Sequence, residues 1–299
     1  MEQAIRKADV LIEALHYIRQ FRNRVTVIKL GGSVLEDADT LRDMLLDVVF
    51  METVGMRPVL VHGAGKAIDR AMAQAGLPVR KTRGRRYTDA PTLAIVSDVL
   101  QQTAAHLERT IHELGGRAVR LHGGSLQALY GQRSFVRDEQ GMAVDLGFVG
   151  EVTRVDRDVI ERFCHAGVIP VVPSLALDPQ GQWLNVNADT AAAAIAAALQ
   201  AEKLVFVTDT PGILRDVHDP ESLIPTLDSE QCRQLVQAGV IASGMIPKIE
   251  ACLESLQAGV RKIHIIDGRV KHSLLLEIYT DRGVGTEIVS SAGVQARGH

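Results

Sequence analysis

Short apolar runs alternate with amphipathic stretches along this chain. "VTVIKL", residues 25–30, is apolar at Val25, Val27, Ile28 and Leu30 and predicts a strand buried on both faces. A helical pattern near 38–52 follows, then "RPVLVHG" as a strand and a helix near 66–75. A long amphipathic segment over roughly 90–114 leads to "RAVRLHG". Farther on, "GVIPVVPSLAL", "KLVFVTD" and "RKIHIID" read as strands, and helices near 187–199 and 244–258 fit between them. The alternation predicts an α/β fold with a mostly parallel central sheet sandwiched between helices. Residues 125–155 depart from it; "SFVRDEQGMAVDLGFVGEV" reads as short strands and turns, a hairpin insert.

One residue breaks the first strand. Lys29 puts a charge where burial is expected, and such a charge needs a partner. Two glycines, Gly31 and Gly32, end the strand. In parallel α/β sheets ligands gather at the carboxyl ends of the strands, which here read "KLGGS", "VHGAG" and "VTDTPGI". Glycines there let backbone N–H groups approach an anion closely. Three such ends, one with a lysine, point to a phosphate site.

Composition narrows the class. The chain has 299 residues, 46% of them hydrophobic, enough for one large core or two lobes. Net charge is −3, from 33 basic and 36 acidic side chains, so no basic surface for nucleic acid is expected. Cys164, Cys232 and Cys252 lack the paired spacing of a disulfide framework or zinc site. The start, "MEQAIRKADVLIEALHYIRQF", is charged throughout and has no signal-peptide run; the longest apolar run, "AAAAIAAAL", is too short to span a bilayer. A soluble cytoplasmic protein with no membrane or nucleic-acid partner is expected, with a disordered tail over 291–299. Several familiar motifs fail. "HGAGKA" has Leu60 and Ala67 where a P-loop needs glycine and Ser/Thr. His112 has Gly116 where a zinc-binding helix needs a second histidine, and "GGSVL" has Leu35 where a nucleophile elbow needs glycine.

Six stretches then occur together: "KLGGS" at 29–33, "VHGAG" at 61–65, "GRRYTDA" at 84–90, "NVNADTAAAAIAAAL" at 185–199, "TDTPGIL" at 208–214 and "SGMIPK" at 243–248. In this order and spacing they make the chain resemble the amino-acid kinase family, from about residue 10 to residue 289. The likeness is nearest to the branch that uses ATP to phosphorylate the side-chain carboxylate of N-acetyl-L-glutamate in arginine biosynthesis. It implies the amino-acid kinase fold. It also implies an N-terminal lobe over 23–196 for acetylglutamate binding and dimerisation, and an ATP-binding C-terminal lobe over 197–290. Lys29 and Lys248 would bridge the phosphates being separated, and Asp189 would orient both lysines. Gly31 and Gly32 would donate N–H groups to the transferring phosphoryl. Arg86 would grip the substrate's α-carboxylate, with Arg83 and Arg85 as neighbouring alternatives; Asn185, Ala64 and Gly65 would also bind substrate, and Asn187 reads as a turn or cap residue. Thr208, Asp209, Gly212, Ser243, Gly244, Met245 and Lys248 would line the nucleotide. Mg²⁺ would be held by ATP oxygens and water, with no protein ligand. The chain departs from the family at Gly63-Ala64-Gly65, where three glycines are usual; a positive φ at Ala64 would strain the backbone, and its methyl would narrow the pocket.

The N-terminal "ADVLIEALHYIRQF" has Val10, Leu11, Leu15, Ile18 and Phe21 on one helical face. It resembles the extra helix over 1–22 in arginine-inhibited, hexameric members, where such helices interlace dimers into a trimer of dimers. Tyr17, His272, Glu277 and Gly285 are the corresponding candidates for bound arginine. Other readings stay open: a helix packed on its own subunit, a kinase of a related acid such as N-acetylaminoadipate, or a non-catalytic arginine-sensing module. Such modules normally carry an acetyltransferase domain, for which this chain offers no room, and retention of both lysines favours catalysis.

Overall fold

Residues 25–30 are extended and paired on both sides, as their apolar character requires. The computed structural model describes residues 1–82, 85–137, 142–241, 245–279 and 283–291. Helix α1 (Glu2–Phe21) leads into β1 (Val25–Leu30), a 3-10 turn at Gly32–Leu35, α2 (Ala38–Thr53), β2 (Arg57–His62) and α3 (Gly65–Gln74). A small ribbon of β3 (Lys81–Thr82) and β4 (Arg85–Arg86) precedes α4 (Ala90–Glu113) and β5 (Ala118–Arg120). The expected hairpin is β6 (Leu129–Arg137) and β7 (Ala143–Val155), followed by α5 (Arg157–His165), β8 (Ile169–Pro173), β9 (Leu175–Leu177), β10 (Trp183–Val186) and α6 (Ala188–Ala198). The remainder is β11 (Lys203–Thr208), β12 (Thr226–Asp228), α7 (Ser229–Gln237), α8 (Ile246–Gln257), β13 (Lys262–Asp267), α9 (Ser273–Ile278) and β14 (Thr286–Val289).

The central sheet runs β12-β14-β13-β11-β1-β2-β8-β5, and β13 with β14 is its antiparallel pair. Because neighbouring residues of a strand face opposite ways, β1 feeds two cores. Val27 joins Val59, Phe206, Ala192 and Ile249 on the face covered by α6 and α8. Ile28 joins Leu60, Val205, Leu45 and Leu107 on the face covered by α2 and α4. "GVIPVVPSLAL" forms two strands. β8 stays in the central sheet, whereas β9 enters a small closed sheet of β10, β7, β6 and β9. The division falls at Pro173, which has no N–H to continue a ladder. All three cysteines are free and buried, and burial pushes the Cys164 and Cys232 thiols up to about 12. Among the described residues no helix is long and apolar enough to cross a membrane.

The apolar face expected on α1 is divided. Phe21 is buried in the α2-side core, with Tyr17 packed beside it and Ile18 half-buried. Ile5, Val10, Ile12 and Leu15 are exposed, and the Leu11 side chain lies outside the described residues. The 291–299 tail lies outside them after Ser291.

Asn187 begins α6, its side chain accepting from the Asp189 and Thr190 N–H groups at 2.8 and 3.1 Å. Asn187→Ala removes this cap and should lower stability by about 1 kcal/mol in urea unfolding, whereas Asn187→Asp, a comparable cap, should cost little.

Candidate active site

Three charges meet where β1, α6 and α8 converge. Lys29 lies near the end of β1, between Val61 of β2 and Phe206 of β11. Asp189 is held in the first turn of α6 by the Asn187 cap, and Lys248 stands in the first turn of α8. One Asp189 oxygen lies 2.8 Å from Lys29 Nζ, and the other accepts from Lys248 Nζ at 2.8 Å. Lys248 Nζ also lies 4.8 Å from the centre of the Phe206 ring, a cation–π contact. Burial alone would raise the Asp189 carboxyl, but Lys29 and Lys248 outweigh it and hold the group at about 2. Burial, and then Lys29, lower the Lys248 ammonium below its ordinary value, with Asp189 opposing them.

The turn after β1 opens space beside this triad. Gly31 is extended, and a Cβ there would collide with Lys29 Nζ. Gly32 has φ +63°, the left-handed region that favours glycine, and a Cβ there would lie 3.5 Å from an Asp209 oxygen. The glycine turn and the loop after β11 therefore face each other. Lys29, Gly31, Gly32, Ala64, Gly65 and Asn185 line one cleft of about 750 Å³.

Arg86 lines the same cleft from β4 and is buried. Its guanidinium pairs with Asp69 of α3 and donates to the Gly65 carbonyl at 3.3 Å. Asp69 also accepts from Lys81 at 3.0 Å. Asn185 donates to the Thr88 hydroxyl at 3.2 Å, and that hydroxyl donates to the Arg86 carbonyl at 3.0 Å. Arg85 also lines the cleft and donates to the Ser134 hydroxyl at 3.3 Å, and Arg83 lies outside the described residues. Ala64 has φ −153°, so alanine brings no left-handed strain; its methyl joins Ile68 and Leu100 in an apolar cluster. His62, beside it, is buried and pushed down to about 4, so it is neutral at pH 7. Among the described residues no cluster of three or more His, Cys, Asp or Glu side chains could hold a metal ion.

On the far side of the triad, Thr208 is buried and its hydroxyl accepts from the Thr210 N–H at 3.1 Å, shaping the loop. Asp209 is exposed, Gly212 is buried with φ +142°, and Met245 packs at the edge of the α6–α8 core. Ser243 and Gly244 lie outside the described residues.

Of the residues expected to hold arginine, Glu277 and Gly285 are in contact, whereas His272 and Tyr17 have other partners. His272 pairs with Asp47 of α2 at 2.6 Å, not with Glu277. Glu277 instead pairs with His264 at 2.6 Å and accepts from the Val284 and Gly285 N–H groups. Burial alone would raise its carboxyl, but these partners hold it below the usual range. Tyr17 meets Tyr279 edge-on at 6.3 Å. The buried Lys203 amine, over the Phe21 ring, is pushed down to about 8 by burial. The sequence reading missed Asp69, Lys203 and His264. Each is a single polar residue in an ordinary helix or strand pattern, and only the charge of Lys203 and His264 within apolar strands hinted at a role.

The amino acid kinase family model matches residues 24–267. An acetylglutamate kinase of Synechocystis sp. is 45% identical over 97% of this chain and 96% of its own length. One from Desulforamulus reducens is 42% identical over 97% of this chain and its whole length. The solved N-acetylglutamate synthase of Neisseria gonorrhoeae, complexed with coenzyme A and N-acetyl-glutamate, superposes with TM-score 0.83 at 29% identity, over 94% of this chain and 63% of that one. A Giardia lamblia carbamate kinase bound to AMP-PNP shares the fold, with TM-score 0.63 at 16% identity over 90% of this chain and 99% of its own. With a family match over most of its length and kinase relatives along nearly all of it, the chain belongs to the amino acid kinase family.

Proposed function

We propose that this chain uses ATP to phosphorylate the side-chain carboxylate of N-acetyl-L-glutamate, giving N-acetyl-L-glutamyl 5-phosphate for arginine biosynthesis. The observation that carries the reading is the Lys29–Asp189–Lys248 bridge beside a cleft containing Arg86. A carboxylate acceptor is ionised at pH 7 and needs no general base. The obstacle is bringing it against the charge of a triphosphate. An ammonium about 4 Å from a unit charge contributes about 4 kcal/mol gross at an effective dielectric of 20. Two such groups, with N–H donors at the glycine turn, would act on the phosphoryl as it transfers. Asp189 cancels one of the two positive charges. In return it holds both ammonium groups in place and opposes the loss of the Lys248 proton.

Arg86 would take the α-carboxylate through its planar fork, and Asn185, Ala64 and Gly65 would complete the acceptor site. ATP would lie across the triad, against Thr208, Asp209, Gly212, Met245 and the N-terminal end of α8. Magnesium, held by ATP oxygens and water, would supply charge neutralisation there. Glycine at position 31 leaves room for the Lys29 ammonium, which a Cβ there would displace, at the wall of the cleft where a phosphoryl group would lie. The proposed lobe boundary between 196 and 197 falls in the last turn of α6, shortly before the chain enters β11.

Arginine inhibition of a hexamer built as three dimers belongs to the same proposal. Its support is the exposed apolar length of α1 and the buried Glu277 carboxylate, which acts on Lys203, the amine over the Phe21 ring at the end of that helix. A free helix of that length is marginal in water, so a second subunit is its natural cover.

Hydroxylamine should trap an acyl phosphate from ATP and N-acetyl-L-glutamate, faster than with N-acetylaminoadipate; no hydroxamate from either acid rejects the reaction. Lys29→Ala and Lys248→Ala should each lower kcat by about 100- to 1,000-fold. Arg86→Lys should raise the acetylglutamate KM with less effect on kcat.

Lys248 is active when protonated, and its pKa lies below the ordinary lysine value of 10.5. In the free enzyme kcat/KM for ATP should therefore fall with rising pH before an ordinary lysine would titrate. Asp189→Asn removes the group that opposes this and should move the alkaline limb to lower pH. Asp189 itself, at about 2 when folded against 3.8, stabilises the fold above pH 3.8; that contribution disappears as pH falls through 2.

Deleting residues 1–16 keeps Tyr17 and Phe21 in the core. It should give active dimers by sedimentation, with a weakened arginine response.

A further inference from the structure

Thr286 opens β14 on the opposite side of the sheet centre from the cleft, and its side chain is fully buried. Its hydroxyl accepts from the Ile213 N–H at 2.8 Å and donates to the Ile224 carbonyl at 2.7 Å. Ile213 and Ile224 form the neck of the excursion that leaves the loop after β11. Ile224 N–H donates to the Ile213 carbonyl at 2.9 Å, and Leu214 bridges Leu223 above them. One hydroxyl thus closes both sides of that neck from beneath.

The adjoining residue fits the same contact. Gly212, at φ +142°, passes so close that a Cβ would stand 2.6 Å from Thr286 Oγ1 and 3.0 Å from Thr286 N. The loop's other end is also fixed, because Gly268 N–H donates to the Thr208 carbonyl at 2.9 Å. Asp209, Thr210, Pro211 and Gly212 hang between these anchors, with Asp209 facing Gly32. The segment entering Thr286 is itself held, since Glu277 accepts from the Val284 and Gly285 N–H groups at 2.6 and 3.0 Å.

We propose that Thr286 is a positioning residue for the nucleotide. It fixes residues 209–213 against the glycine turn in the form that receives ATP, and touches no substrate itself. The inference rests on the reading of 208–213 as the nucleotide loop. The position needs a donor and an acceptor on one small β-branched side chain. Valine has the shape of threonine but would leave a buried N–H and a buried carbonyl unpaired. A loop that is only fractionally in its binding form weakens apparent affinity by that fraction.

The test compares wild type, Thr286→Val and Thr286→Ser by calorimetric binding of AMP-PNP with Mg²⁺ and by steady-state kinetics. Thr286→Val should weaken AMP-PNP binding and raise the ATP KM about tenfold, with the acetylglutamate KM within twofold. Thr286→Ser, which keeps the hydroxyl, should restore nucleotide binding. A folded Thr286→Val enzyme with wild-type nucleotide affinity overturns the proposal. So does equal impairment of the serine and valine enzymes, which would assign the effect to the methyl. Wild-type protein that binds no AMP-PNP rejects the nucleotide-loop reading itself. Should the valine enzyme not fold, hydrogen exchange on wild type decides: the Ile213 amide should be strongly protected without nucleotide, and exchange at the rate of an exposed amide overturns the proposal.

Discussion

A single carboxylate shared by two ammonium groups organises this molecule. Asp189 reaches Lys29 with one oxygen and Lys248 with the other, at 2.8 Å each. Two buried ammonium groups without it would repel, and one would tend to lose its proton. The three side chains come from β1, α6 and α8, so the bridge depends on α6 and α8 packing over one face of the sheet. The apolar positions of β1 exist in part to hold Lys29 at that height. Alanine-rich α6 lets the helix approach closely, with Ala191, Ala192 and Ala196 all buried.

Around the bridge the protein uses backbone more than side chains. Gly31 makes room for the Lys29 ammonium, Gly32 supplies a left-handed turn, and Gly212 passes against Thr286. On the acceptor side the order is reversed. Arg86 is gripped by Asp69 and Gly65, and tied through Thr88 to Asn185. In the proposed role, a guanidinium already immobilised would lose little freedom when a carboxylate arrived, which would favour affinity.

The strands and longer helices were legible because their periodicity is strong: β1, β2, β11, β13, α4 and α6 fall within a residue or two of the pattern. Pro173 shows what was not. "VVPSLAL" is apolar on both sides of the proline, and nothing in that run says that the chain changes sheets there. Short α5 and α7 were missed because two helical turns give too few repeats to establish a period. Lys29 was legible as a site residue because a charge in a buried strand is anomalous. Asp69 was not, since an aspartate on a surface helix is ordinary until its partners are seen. The partners of His272 and Glu277 were hidden for a similar reason. Spacing could not reveal that the αL residue before α9 turns toward Asp47 while His264, on a strand, meets Glu277.

The three cysteines carry a practical consequence. Each is buried, and burial drives each thiol toward its unreactive protonated form. The native chain therefore presents no reactive sulfur to an alkylating reagent. A cysteine introduced on the exposed length of α1, such as at Val10, would be the one position to take a fluorophore or spin label. Distances within the protein could then be measured without first removing the native thiols.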